Sequence, residues 1–143
     1  MAPYDEDEIV QLMTEIYQLH IKLCTIEADQ VAFPPDGGHY FIDEETCASL
    51  RIDPVVVSLM KRLPYPKKRE TQVEFCLLPG GWPLVYTHYQ DIYAGRDTEN
   101  APIGERLDFN YTLPHDIALT LFGHRDGYST ILDTKESRLV PPD

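Results

Sequence analysis

The sequence predicts an α+β domain in which N-terminal helices pack on one face of a mostly antiparallel sheet that closes in a C-terminal β-hairpin. Apolar residues recur at helical spacing as far as Leu63. Beyond it, short apolar runs bounded by glycine and proline read as strands. Helices first and strands after segregate the two kinds of element, which favours antiparallel pairing. A chain of 143 residues fits one domain, 1–143, and needs neither metal nor disulfide to close a core.

The first helix is expected from about Glu6 to Asp29. Ile9, Leu12, Met13, Ile16, Leu19, Leu23 and Ile26 fall on one face, a pattern that serves a core, a coiled coil or a partner helix. The core is the reading preferred here. Asp5 with Glu8 reads as its capping box. Pro34, Pro35, Gly37 and Gly38 then make a turn, and His39–Ile42 a short extended segment. Asp43 is placed to cap a short helix, and Asp53 to cap a second one that opens on Pro54 and stops at Leu63.

Lys61 to Arg69 holds five of the twelve basic residues. It could dock an acidic partner, act as a nuclear import signal, or pair with the acidic body, the last being preferred. Val73–Leu78 and Leu84–Tyr89 read as strands around a PGGWP turn. Residues 90–114 form a long segment of weak periodicity, within which Asp108–Leu113 offers a further strand. Ile117–Phe122 and Tyr128–Asp133 are strand-like, with Asp126-Gly127 as the hairpin turn, and Arg138–Val140 adds a last strand.

Composition excludes several functions. Twenty-four acidic residues against twelve basic ones give a net charge of −12. Nucleic acid and anionic membrane both select a basic face. A basic protein partner would be attracted at long range. Cys24, Cys47 and Cys76 are odd in number and far apart, so neither a disulfide framework nor a zinc pair is expected. The acidic MAPYDEDEIV start lacks a signal-peptide pattern, and no run reaches the ~18 apolar residues of a membrane span. The expected location is the cytoplasm, with entry to the nucleus by diffusion.

Ile117–Val140, in IALTLFGHRDGYSTILDTKESRLV, resembles the closing region of the SMI1/KNR4 (SUKH) superfamily: strand, Gly/Asp turn, strand ending Leu-Asp-Thr, short final strand. The family's Leu-Pro-led helix ending in Asn-Gly is replaced here by Pro34-Pro35 and Gly37-Gly38. The resemblance implies an α+β fold and a non-enzymatic role in binding other proteins. DPVVVSLMKRLPYP, from Asp53 to Pro66, resembles a class of small acidic fungal proteins that carries no activity to transfer.

No catalytic spacing emerges. The G-x-S-x-G elbow and the phosphate-loop pattern are both missing. No cofactor and no metal are expected, because His115 and Asp116, adjacent on a strand, would point to opposite faces. The preferred surface is an aromatic patch of Trp82, Tyr86, Tyr89 and Tyr93 with Arg96, residue types enriched in binding hot spots. The alternative is a small-molecule binder or enzyme with a pocket between residues 90–114 and the sheet, lined by His88, Asp91, His115 and Asp116. A homodimer through the first helix or a sheet edge is a third arrangement.

Overall fold

The structure, a computed structural model, describes residues 3–68, 75–78, 81–96, 112–122 and 130–139. Helix α1 spans Glu6–Lys22, and the Asp5 carboxylate accepts from Glu8 N at 3.3 Å. It ends seven residues before the expected Asp29. Cys24 turns to φ 60°, its N–H donating to Ile21 O while Thr25 N–H reaches back to His20 O. This pair of bonds is a Schellman motif, with cysteine at the position glycine usually holds.

The α1 apolar face divides. Met13 and Tyr17 are buried, with Ile9, Val10, Ile16 and Ile21 packed at the core margin. Leu12, Leu19 and Leu23 are instead 48, 54 and 63 % exposed, which corrects their expected place in the core. The inward direction is set by Tyr17, whose ring meets Phe75 at 5.9 Å, and by His20, edge-on to Phe75 at 4.9 Å.

A short 3₁₀ turn, Ala28–Gln30, leads into β1 (Val31–Ala32), which pairs antiparallel with β2 (Tyr65–Pro66). Helix α2 (Glu44–Ser49) is capped by Asp43, which accepts from Thr46 N. Those hydrogen bonds hold the Asp43 carboxyl below its ordinary range. Helix α3 (Pro54–Arg62) buries Val56, Leu59 and Met60. Asp53 gives it no side-chain cap; Pro54 at the first position removes one of the N–H groups a helix start leaves unpaired and presets its φ. Lys61 pairs with Glu44 and Arg62 with Glu6 and Asp7, so this part of the basic stretch pairs with the protein's own acids.

The second sheet has order β3-β4-β5-β6, antiparallel throughout: β3 (Gly81–Pro83), β4 (Asp116–Phe122), β5 (Thr130–Asp133) and β6 (Arg138–Leu139). The expected strand over Leu84–Tyr89 is absent. The paired residues are Gly81–Pro83, and helix α4 (Tyr89–Ala94) occupies the next stretch. Val85 N donates to the Asp91 carboxylate at 2.7 Å instead of to a strand. Of the expected Val73–Leu78 strand, residues 75–78 contribute one isolated bridge, Leu78 to Gly81. Helical and sheet side chains share one core cluster, which includes Ile117, Ala118 and Leu119 of β4, Ile131 and Leu132 of β5, and Val56, Leu59 and Met60 of α3. No helix among the described residues is long and apolar enough to cross a membrane.

Two substitutions test these local readings. Cys24→Gly removes a Cβ from a left-handed position and should stabilise by about 1 kcal/mol, less a few tenths for the freer unfolded chain. Cys24→Ala should give no gain in urea unfolding. Among the described residues the fully buried Thr120 Oγ1 meets no hydrogen-bond partner. Thr120→Val keeps the shape and should be neutral or stabilising by about 1 kcal/mol, and a clear loss in urea unfolding would show the hydroxyl is bonded.

Candidate functional site

Helix α4 sorts the aromatic candidates. Tyr89 and Tyr93, four residues apart, share its outer face and are 55 and 51 % exposed. Asp91 and Ile92 point inward. Tyr86 is buried, and its hydroxyl donates to Ala118 O while its ring meets Tyr65 at 6.2 Å. It therefore leaves the surface set, as a core residue with its polar end satisfied. Trp82 is half-buried on β3, paired in register with Leu121. The aromatic patch is thus reduced to Tyr89 and Tyr93, with Trp82 partly open.

Arg96 lies just beyond the α4 C-cap Gly95. A Cβ on that glycine would meet Tyr86 Oη at 2.9 Å, so the close approach of helix and ring requires its absence. The Arg96 guanidinium donates to Leu113 O and to Asp116 O, both at 2.8 Å. It therefore clamps the end of α4 onto the turn that starts β4. This residue is structural in the first instance.

The same turn gathers part of the alternative set. His115 Nε2 lies 3.3 Å from Asp133 Oδ1 and 3.7 Å from Asp116 Oδ1. The two adjacent residues do not diverge as expected. His115 belongs to the turn and Asp116 is the first residue of β4, so strand alternation does not govern the pair. Asp91 instead accepts from Val85 N, and His88 is the half-buried N-cap of α4. Residues 97–111, the main wall of the expected pocket, lie outside the described residues, as does most of the Asp108–Leu113 strand.

Asp133 was missed by sequence reasoning. A two-residue Asp126-Gly127 loop would set it opposite Thr120. The observed register pairs Thr120 with Thr130 and, across a bulge, Asp116 with Asp133. Both carboxylates are buried, at 0 and 4 % exposure. Asp116 Oδ2 accepts from Leu113 N, and Asp133 Oδ1 from Lys135 N and Glu136 N. The backbone carbonyl of His115 accepts from Thr134 N and Thr134 Oγ1. Tight local turns therefore fix both carboxylates and the backbone of His115.

Elsewhere, a cavity of about 420 Å³ opens between α1, the Pro34–Gly38 turn and α3, with Lys61 and Arg62 in its wall. Both are held in the ion pairs already described. Cys47 is buried in α2, and burial, aided by nearby Asp43, pushes its thiol pKa upward, away from nucleophilic reactivity.

Arg96 should resist conservative replacement. Arg96→Lys keeps the charge but loses the planar fork whose two nitrogens each meet one carbonyl, and should destabilise by about 2 kcal/mol in urea unfolding, and Arg96→Gln by at least as much. No protein-family model, curated protein or solved structure matches the chain.

Proposed function

We propose that the chain is a non-enzymatic protein-interaction module, in keeping with the SUKH-like role its C-terminal pattern implies, and that the outer face of α1 docks a basic amphipathic segment of another protein. The observation that carries this reading is the exposure of Leu12, Leu19 and Leu23 along one side of a helix. Half-buried Ile9 and Ile16 continue the stripe toward the core. Seven- and four-residue spacings put these side chains in line, the geometry of a helix seam.

Charge decides the class of partner. Exposed Glu8 and Glu15 run beside the leucines, and the chain carries −12 overall. A second copy would bring the same acidic excess against itself, with Lys22 at the end of the row to answer one of the acids. A helix with lysine or arginine beside its apolar seam instead meets opposite charge along its length. Tyr89 and Tyr93 offer a second exposed contact of the hot-spot type.

The test uses a synthetic helical peptide with a leucine seam flanked by lysine, and a charge-matched peptide whose leucines are replaced by glutamine. Fluorescence anisotropy should show binding of the first and much weaker binding of the second, with affinity falling as salt rises. Leu12→Gln/Leu19→Gln leaves the charge unchanged and, at exposed positions, should shift stability by less than about 0.5 kcal/mol per site. It should weaken binding at least tenfold. Equal binding by both peptides or both proteins would leave only non-specific charge attraction. A wild-type dimer in light scattering, lost in the variant, would reassign the face to self-association.

A further inference from the structure

We propose that His115, Asp116 and Asp133 form a binding site for a divalent ion of the zinc or cobalt class, independent of the α1 face. The three side chains come from one turn and from directly paired positions of β4 and β5. Their candidate ligand atoms all lie within 4.8 Å of one another. Zinc bonds to imidazole nitrogen and carboxylate oxygen are about 2.0–2.2 Å long, so neighbouring ligands around one tetrahedral ion sit roughly 3.3–3.6 Å apart. The separations of 3.3 and 3.7 Å from His115 Nε2 come close to that spacing before any ion draws the groups together.

Electrostatics points the same way. Like charges directly opposite on neighbouring strands oppose pairing, and Asp116 and Asp133 are such a pair, both enclosed. A divalent ion would offset both carboxylates at once and take His115 as a neutral ligand. The nitrogen and oxygen mixture suits a borderline ion better than calcium or magnesium, which favour all-oxygen shells.

The supporting hydrogen bonds are those a metal site needs. Leu113 N holds Asp116 at Oδ2, leaving its Oδ1 toward His115; Lys135 N and Glu136 N hold Asp133 at the Oδ1 that faces His115, and Thr134 fixes the backbone of His115. Such outer partners set ligand orientation before the ion arrives. The His115 side chain retains 14 % exposure, which leaves a route in from solvent. Three protein ligands leave at least one further position for water or a small anion.

The experiment is a Co²⁺ titration of the full chain, followed by visible absorption and checked by competition with Zn²⁺. One equivalent should bind through nitrogen and oxygen, and His115→Gln and Asp133→Asn should each weaken binding tenfold or more. Circular dichroism establishes that the variants are folded. Should either unfold, carbethoxylation of His115 in the wild type, read by mass spectrometry, replaces it, and one equivalent of Zn²⁺ should block the modification. Excess Ca²⁺ should neither compete nor protect. Absence of one-to-one binding, unchanged affinity in the folded variants, or full modification of His115 under saturating Zn²⁺ would overturn the proposal. So would a thiolate-to-cobalt charge-transfer band, which would place the ion on Cys24 or Cys76, both exposed.

Discussion

Strand β4 is enclosed on both faces, since consecutive residues Ile117, Ala118, Leu119 and Thr120 are all buried. Backbone groups in such a strand have no water to turn to, so each must find a partner within the chain. Much of the fold can be read as the set of partners that resulted. Strands β3 and β5 occupy the two edges of β4. Tyr86 donates to Ala118 O, Leu84 N–H to Leu119 O, and Arg96 to Asp116 O. The loop before α3 joins through Asp53 N–H on Pro114 O. Displacing this strand would therefore leave donors and acceptors unmade from the sheet, from α4 and from the helical region together, each at about 1–3 kcal/mol.

This dependence explains which parts of the fold were legible in the sequence. The starts of α1 and α2, the apolar faces of α1 and α3, and strands β4 to β6 follow from local pattern, and their expected positions agree with the structure to within a few residues. Helix α4 does not. Leu84–Tyr89 has the valine, threonine and tyrosines of a strand, but Asp91 accepts from Val85 N and Tyr86 donates to the carbonyl of Ala118. The Tyr86 bond reaches across the fold and exists only once β4 is in place. The end of α1 was missed for a different reason: nothing in the residue type of Cys24 announces a left-handed turn.

The site was less legible than the fold. Arg96, His115 and Asp116 can be named from residue type, yet only the register of β4 against β5 adds Asp133 to them. The observed register at Thr120 differs by three residues from the one a two-residue Asp126-Gly127 turn would set, and that difference decides which residue faces Asp116. The α1 face was ambiguous in another way. Seven apolar residues over that stretch can serve a core or a partner, and only the position of Phe75 against Tyr17 and His20 decides which side turns inward.

Charge and apolar exposure act at different distances on the same surface. The ion pairs of Lys61 and Arg62 with Glu44, Glu6 and Asp7 lie largely at the surface, where such pairs add at most about 1 kcal/mol. Their larger effect is to occupy two of the few cations, leaving the acidic excess to dominate the field. That field extends about a Debye length, roughly 8 Å at physiological salt, and acts mainly on the rate of encounter with a basic partner. Leu12, Leu19 and Leu23 act only on contact and would govern how long a partner stays. Lone exposed leucines are ordinary on a protein surface; three in line beside an acidic row are a departure from the local pattern of burying such residues. The paired, buried Asp116 and Asp133 depart from local preference in the opposite sense, placing charge where apolar residues belong. Each is a local inconsistency of the kind expected at functional or strained positions, and on these two the proposed docking face and ion site are built.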